Sequence, residues 1–263
     1  MPLTPLQSSV GRLLAAGRSA DSYLAGGAAL HRLPNSTRFS NDLDYFHDSV
    51  ERVASAFAAD SAALEREGYQ VAIDMKQPGY IRARVVCGDD STKIEWAHDS
   101  AWRFMPTVAD AELGFVLHPV DLALNKVLAL VGRNEPRDFL DVLEVHERTL
   151  CLGALCWASV GKDPGFTPRS LLELLRRRSK YQPEDFDRLR LTKPVELPVL
   201  KVTWSTALDD ADALISALPA GEIGCLYYST TEKTFVDPRG HGRKTLTCHY
   251  GRPGGVLPRI HAG

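Results

Sequence analysis

Hydrophobic and polar positions in the first 117 residues switch repeatedly between a helical period and strict alternation. "SVGRLLAAG" has helical spacing, and "SYLAGGAAL" reads as a strand running through Gly26-Gly27 into a helix. "FSNDLDYF" alternates as a strand, with Leu43 and Tyr45 on one side and Asp42 and Asp44 on the other. "SVERVASAFAADSAALEREG" returns to the helical period, with Val50, Val53, Ala54, Phe57 and Ala58 on one stripe. "YQVAIDM", "YIRARVVC" and "TKIEWAHD" then predict three short strands separated by turn residues. Helices among mixed strands predict a sheet domain over residues 1–117.

From His118 onward the alternation gives way to helices. "HPVDLALNKVLALVGR" opens on Pro119, a favoured first helical residue, and "EPRDFLDVLEVHERTL" restarts at Pro136. "TPRSLLELLRRRSKY", "QPEDFDRLRL" and "DDADALISAL" predict further helices, and "GCLYYSTTEKTFV" a strand pair. The expected fold class is α+β: a small mixed sheet flanked by helices over 1–117, then a mainly helical domain over 118–235. The last 28 residues, 236–263, hold six glycines and three prolines and are expected to form a mobile tail.

Composition narrows the class without selecting a function. The 263 residues are 44% hydrophobic and 24% charged, as in an ordinary globular protein. A net charge of -2 excludes polyanion binding by bulk charge, though a local basic patch remains open. No apolar run reaches the length of a membrane span, so no membrane partner is expected. The N-terminus lacks the leading basic segment of a signal peptide and reads as a starting helix. Five scattered cysteines without a CxxC pair support neither a disulfide framework nor a zinc ribbon, and point to the reducing cytoplasm.

The alternation raises a chemical question. Asp42 and Asp44 project to the same side of a strand, about 7 Å apart along it, where aspartate is disfavoured and like charges repel. A solvated strand edge is the plain explanation. A hard cation such as Mg²⁺ answers both objections, because it prefers carboxylate oxygens together with substrate phosphates. Two such ions about 4 Å apart can clamp the attacking and leaving oxygens of a phosphoryl displacement. In "STKIEW" alternation puts Lys93 and Glu95 on one face, so Glu95 is the candidate third acid, as shared metal ligand or general base. Asp74 is the fallback.

Further candidates extend the pattern. Gly26 and Gly27 between strand and helix suit a phosphate cradle, although two glycines after a strand are often a simple turn. Lys126 and Arg133, seven apart on one predicted helix and off its apolar stripe, suit a triphosphate. Asp138 and Asp141 share a face of the next helix.

In this order the motifs resemble a known family. "GGAALHRLPNSTRFSNDLDYF" followed by "HPVDLALNKVLALVGRNEPRDFLDV" is similar to the AbiEii/AbiGii-type nucleotidyltransferases. These are toxin halves of abortive-infection toxin–antitoxin pairs, within the DNA polymerase β-like nucleotidyltransferase superfamily. The resemblance covers Tyr23 to about His146. It implies that Gly26 and Gly27 cradle the triphosphate, Asp42 and Asp44 bind Mg²⁺, and Lys126 contacts phosphate. One of Asp138 and Asp141 would be the remaining motif acid, and Arg38 and Ser40 match positions that touch phosphate. Glu95 departs from the aspartate more usual in the superfamily, and nothing after Thr149 carries a quotable motif.

The acceptor is read from charge. Between Gly161 and Ser205 ten Lys/Arg face six Asp/Glu, a local +4 that leaves -6 elsewhere. Arg176, Arg177, Arg178 and Lys180 crowd a predicted helix end, as RNA phosphates would require, although cations also favour helix C-termini. The expectation is Mg²⁺-dependent transfer of an NMP from an NTP to the 3′ end of tRNA, with a cognate antitoxin as partner. Nucleotidylation of a protein or of a small molecule such as an aminoglycoside is the alternative within this class. A non-catalytic nucleotide- or partner-binding module is the alternative outside it.

Overall fold

The computed structural model describes residues 3–32 and 35–259. The chain forms two compact units. The first comprises Met1–His118, Arg190–Lys193 and Pro253–Gly255, and the second comprises Pro119–Leu189, Pro194–Arg252 and Val256–Gly263.

The first unit begins with α1 (Pro5–Leu14), which starts earlier than its apolar pattern because Thr4 and Gln7 form a capping box around a proline-initiated turn. Then follow β1 (Ser22–Ala25), α2 (Gly26–His31), β2 (Asp42–His47) and α3 (Val50–Arg66), the last capped by the Ser49 hydroxyl. A meander of β3 (Gln70–Gln77), β4 (Tyr80–Cys87) and β5 (Asp90–His98) leads to the short β6 (Trp102–Arg103), β7 (Val108–Asp110) and β8 (Gly114–Val116). Seven strands build one sheet in the order β3-β4-β5-β2-β1-β8-β7. The pairs β2–β5 and β1–β8 are parallel and the others antiparallel, so the sheet is mixed as expected.

One face of this sheet is core. Leu43, Tyr45, Ile94 and Trp96 are at most 1% exposed, which forces their strand neighbours Asp42, Asp44, Lys93 and Glu95 to the opposite face. Beneath the core face, Arg18 Nη2 reaches both oxygens of the buried Asp60 at 2.5 and 2.6 Å, and Trp96 Nε1 donates to Asp60 Oδ2 at 2.7 Å. The Arg18 guanidinium also stacks 4.4 Å from the Tyr45 ring centroid. Tyr45 and Trp96 face each other across β2 and β5, so this buried cluster pins the two acid-bearing strands in register.

The second unit contains α4 (Pro119–Arg133), α5 (Pro136–Arg148), α6 (Leu152–Lys162), α7 (Pro168–Arg178) and α8 (Leu197–Ala217). A three-stranded sheet, β9 (Leu226–Ser229), β10 (Thr234–Phe235) and β11 (Leu246–His249), follows in the order β10-β9-β11. Phe139 packs against Tyr181 and Trp204 with ring centroids 5.2 Å apart in each pair.

The structure differs from two expectations and adds one helix that carried no signal. The helix α6 was not anticipated: every residue from Leu152 to Val160 is buried, so no polar face marks its period. "QPEDFDRLRL" is helical only over the 3₁₀ turn Pro183–Phe186, because its continuation leaves to join the first unit. The proposed tail is ordered over its described part. Leu246–His249 pairs with Leu226–Ser229, and a Cβ on Gly255 (φ 74°) would lie 2.2 Å from the Met105 carbonyl carbon. Gly240 and Gly254 take left-handed φ values of 80° and 78°, and Gly255 allows the close backbone approach to Met105. The last four residues lie outside the described ones.

Candidate active site

Strand register assembles the acids. Asp44 lies directly opposite Glu95 across the parallel β2–β5 pair, and Asp42 opposite Lys93. Oxygens of Asp42, Asp44 and Glu95 all lie within 4.8 Å of one another. Three carboxylates at that spacing form a hard, anionic oxygen donor set, which fits Mg²⁺ or Mn²⁺ and not a soft metal. Asp74 lies elsewhere in the sheet, paired with Arg84 at 3.0 Å.

Lys93 and Arg82 are among the cations that attend this cluster. Lys93 Nζ stands 3.0 Å from Asp42 Oδ2 and 3.1 Å from Glu95 Oε1, and Arg82 Nε donates to Glu95 Oε1 at 3.0 Å. Burial pulls the Lys93 ammonium down, but Asp42 and Glu95 outweigh it and its pKa is raised. Neither cation was singled out from the sequence as a site residue. The signal was present, since the alternation that selects Glu95 also brings Lys93 to its side.

The glycines meet the acids from the neighbouring strand. Gly26 takes a left-handed φ of 62°, and a Cβ there would fall 1.8 Å from Asp44 Oδ2. A Cβ on Gly27 would lie 2.8 Å from Ser40 Oγ and 3.1 Å from Arg38 Nη2. The Ser40 hydroxyl donates to the Asp42 carbonyl at 3.0 Å and lies 3.3 Å from Asp42 Oδ1. Gly26, Gly27, Arg38, Ser40, Asp42, Asp44 and Glu95 therefore belong to one locality, with Arg38 and Ser40 themselves buried.

A distant segment braces this locality. Residues Arg190–Lys193 lie along the Ser36–Phe39 loop, where Leu191 bridges Arg38, Phe39 N–H donates to the Arg190 carbonyl at 2.8 Å and Thr192 N–H to the Thr37 carbonyl at 3.0 Å. The Thr192 hydroxyl donates to the Ser36 carbonyl at 2.6 Å, and Arg190 stacks on Phe39 at 5.3 Å. No sequence signal could have paired segments about 150 residues apart.

The remaining candidates sit in the helical unit. Lys126 Nζ is 2.7 Å from Asp141 Oδ2, both buried, and Arg133 forks onto the buried Asp138 at 2.6 and 2.8 Å. Lys126 and Arg133 thus take separate carboxylates on α5. Arg176 pairs with Asp209 at 3.2 Å and Arg177 with Glu173 at 4.0 Å, all solvent-exposed. Arg178 and Lys180 have no ion pair among the described residues.

A mixed sheet presenting three convergent carboxylates beside a glycine pair, with a helical unit after it, is the architecture of a nucleotidyltransferase. The family model for the nucleotidyl transferase AbiEii toxin of type IV toxin–antitoxin systems matches residues 12–220, and the chain belongs to that family. Membership makes it a nucleotidyltransferase toxin and implies an NTP substrate and an antitoxin partner. The fold is similar to MenT4, a nucleotidyltransferase toxin of Mycobacterium tuberculosis, with a TM-score of 0.51, 18% identity and coverage of 82% of this chain and 83% of MenT4. It is also similar to an H. pylori protein assigned as a nucleotidyltransferase, with a TM-score of 0.50, 16% identity and coverage of 81% and 95%. At these identities the likeness is one of fold. No curated protein matches the sequence. Among the described residues no helix is long and apolar enough to cross a membrane.

Proposed function

We propose that the protein transfers an NMP from an NTP to a hydroxyl acceptor in a Mg²⁺-dependent reaction, with the 3′ end of tRNA as acceptor, in the cytoplasm. The acceptor oxygen bonds to the α-phosphorus as pyrophosphate leaves and the hydroxyl proton is lost. The observation that carries this reading is the meeting of Asp42, Asp44 and Glu95 within 4.8 Å, against the backbone of Gly26.

In this reading the three carboxylates hold the divalent cation, whose bound charge orients and offsets the phosphate and acceptor oxygens. Gly26 and Gly27 bring backbone N–H groups close to the phosphates, and Arg38 and Ser40 supply a cation and a hydroxyl beside them. The Arg82 and Lys93 contacts aim Glu95 at Asp42 and Asp44, which favours the ligand role over that of a separate base. Lys126 and Arg133 contribute positive charge for the triphosphate. Of the two acids on α5, the buried Asp141 orients Lys126 and Asp138 orients Arg133. Arg176, Arg177, Arg178 and Lys180 bind acceptor phosphates, and positioning with charge neutralisation supplies most of the rate.

Incubation with each labelled NTP, Mg²⁺ and total tRNA tests the proposal. Label should reach tRNA with the wild type and not with Asp44→Ala. Transfer to protein or a small molecule would relocate the acceptor, and no transfer to anything would overturn the reading in favour of a binding module.

A further inference from the structure

Asp42, Asp44 and Glu95 bring three negative charges together, and Lys93 and Arg82 are two cations within hydrogen-bond distance of them. The two cations differ in what they touch. Of the three acids Arg82 pairs with Glu95, from the directly opposite position on β4, and its guanidinium also lies over the Tyr80 ring. Lys93 spans two members of the triad, Asp42 and Glu95, from the strand position directly opposite Asp42. Its other cross-strand neighbour, Arg84, is turned away to Asp74. With 32% of its side chain exposed, the Lys93 ammonium is held by the carboxylates and not by burial among apolar groups.

An ammonium between two carboxylates does part of what a divalent ion does there: it lets like charges approach, and it occupies the same oxygens. We propose that Lys93 is a built-in counter-cation of the triad, which keeps Asp42 and Glu95 in ligand geometry before any ion arrives and restricts the nucleotide-free protein to one divalent ion. The inference rests on the reading of Asp42, Asp44 and Glu95 as metal ligands. Lys93 is a positioning residue in this scheme, acting on the carboxylates.

Mn²⁺ uptake by the nucleotide-free full-length protein tests this, counted from the loss of free-ion electron paramagnetic resonance signal. The wild type and Lys93→Arg should bind one Mn²⁺ per chain. Lys93→Met, or Lys93→Gln if the first variant folds poorly, should bind a second ion or bind the first at least about tenfold tighter, since a charge competing for the same oxygens is gone. The metal-free neutral variants should also melt below the wild type and Lys93→Arg, and Mn²⁺ should raise their melting temperature more. Equal stoichiometry and affinity in wild type and both neutral variants would overturn the proposal while leaving the metal site intact. Absence of uptake by every form, or uptake unchanged by Asp44→Ala, would overturn the reading of the triad and the proposal with it.

Discussion

The Asp44 carboxylate occupies the space that a side chain on Gly26 would need, 1.8 Å from the ideal Cβ position. Gly26 also takes a left-handed φ of 62°, which costs other residues about 1–2 kcal/mol. Gly26→Ala should therefore displace Asp44 from the triad. The expected outcome is a loss of nucleotidyl transfer of about a hundredfold or more, as for a misplacement near 1 Å, with weakened Mn²⁺ binding and a melting temperature only modestly lowered.

The buried Lys126–Asp141 pair makes a separate prediction for the helical unit. Their side chains are 7% and 0% exposed, so removing one charge takes a buried ion-pair partner from the other. Lys126→Ala should lower stability by about 3–5 kcal/mol in urea unfolding, whereas the double variant Lys126→Met/Asp141→Leu should recover most of it. Transfer activity should stay lost in both, because charge and not packing is what the nucleotide requires.

The brace between Thr192 and Ser36 should show in substrate binding. Thr192→Val deletes the 2.6 Å hydrogen bond to the Ser36 carbonyl, worth about 1 kcal/mol. The expected signature is a several-fold rise in KM for the NTP with kcat changed less, because the loop that carries Arg38 loses support while the triad is untouched. A kcat loss at constant KM would contradict it.

His47, fully buried on the core face of β2, sets a pH dependence. Neither of its ring nitrogens finds a hydrogen-bond partner among the described residues. Burial, aided by Arg18 and Arg52 and opposed by Asp21, lowers its pKa from 6.5 to about 3. The folded protein therefore keeps His47 neutral while the unfolded chain protonates. Its contribution to stability is complete above pH 6.5 and is lost as pH falls toward about 3, at up to about 1.4 kcal/mol per pH unit. Melting curves of His47→Phe should decline less steeply than the wild type between pH 6.5 and 4.

Individual segments show how far the sequence reaches. "DLDYF" and "KIEW" each put their acids on one side and their apolar residues on the other, because side chains alternate along any strand. The prolines at 119, 136 and 168 each open a helix, since a fixed φ and a missing N–H suit a first turn. Where local signal was absent, reading failed. The helix Leu152–Lys162 is buried all round, and Pro183–Phe186 stops after one turn, its continuation going to pair with the Ser36–Phe39 loop.

The sequence by itself determined the periodicities, the helix starts and the residue types able to hold a cation, because those depend on neighbours a few positions away. Only the tertiary structure decided that Asp44 faces Glu95, that Lys93 reaches both Asp42 and Glu95, and that Thr192 supports the loop of Arg38. Those contacts join segments whose pairing is chosen by strand register and by core packing around Tyr45 and Trp96, and neither is written into any local stretch of the chain.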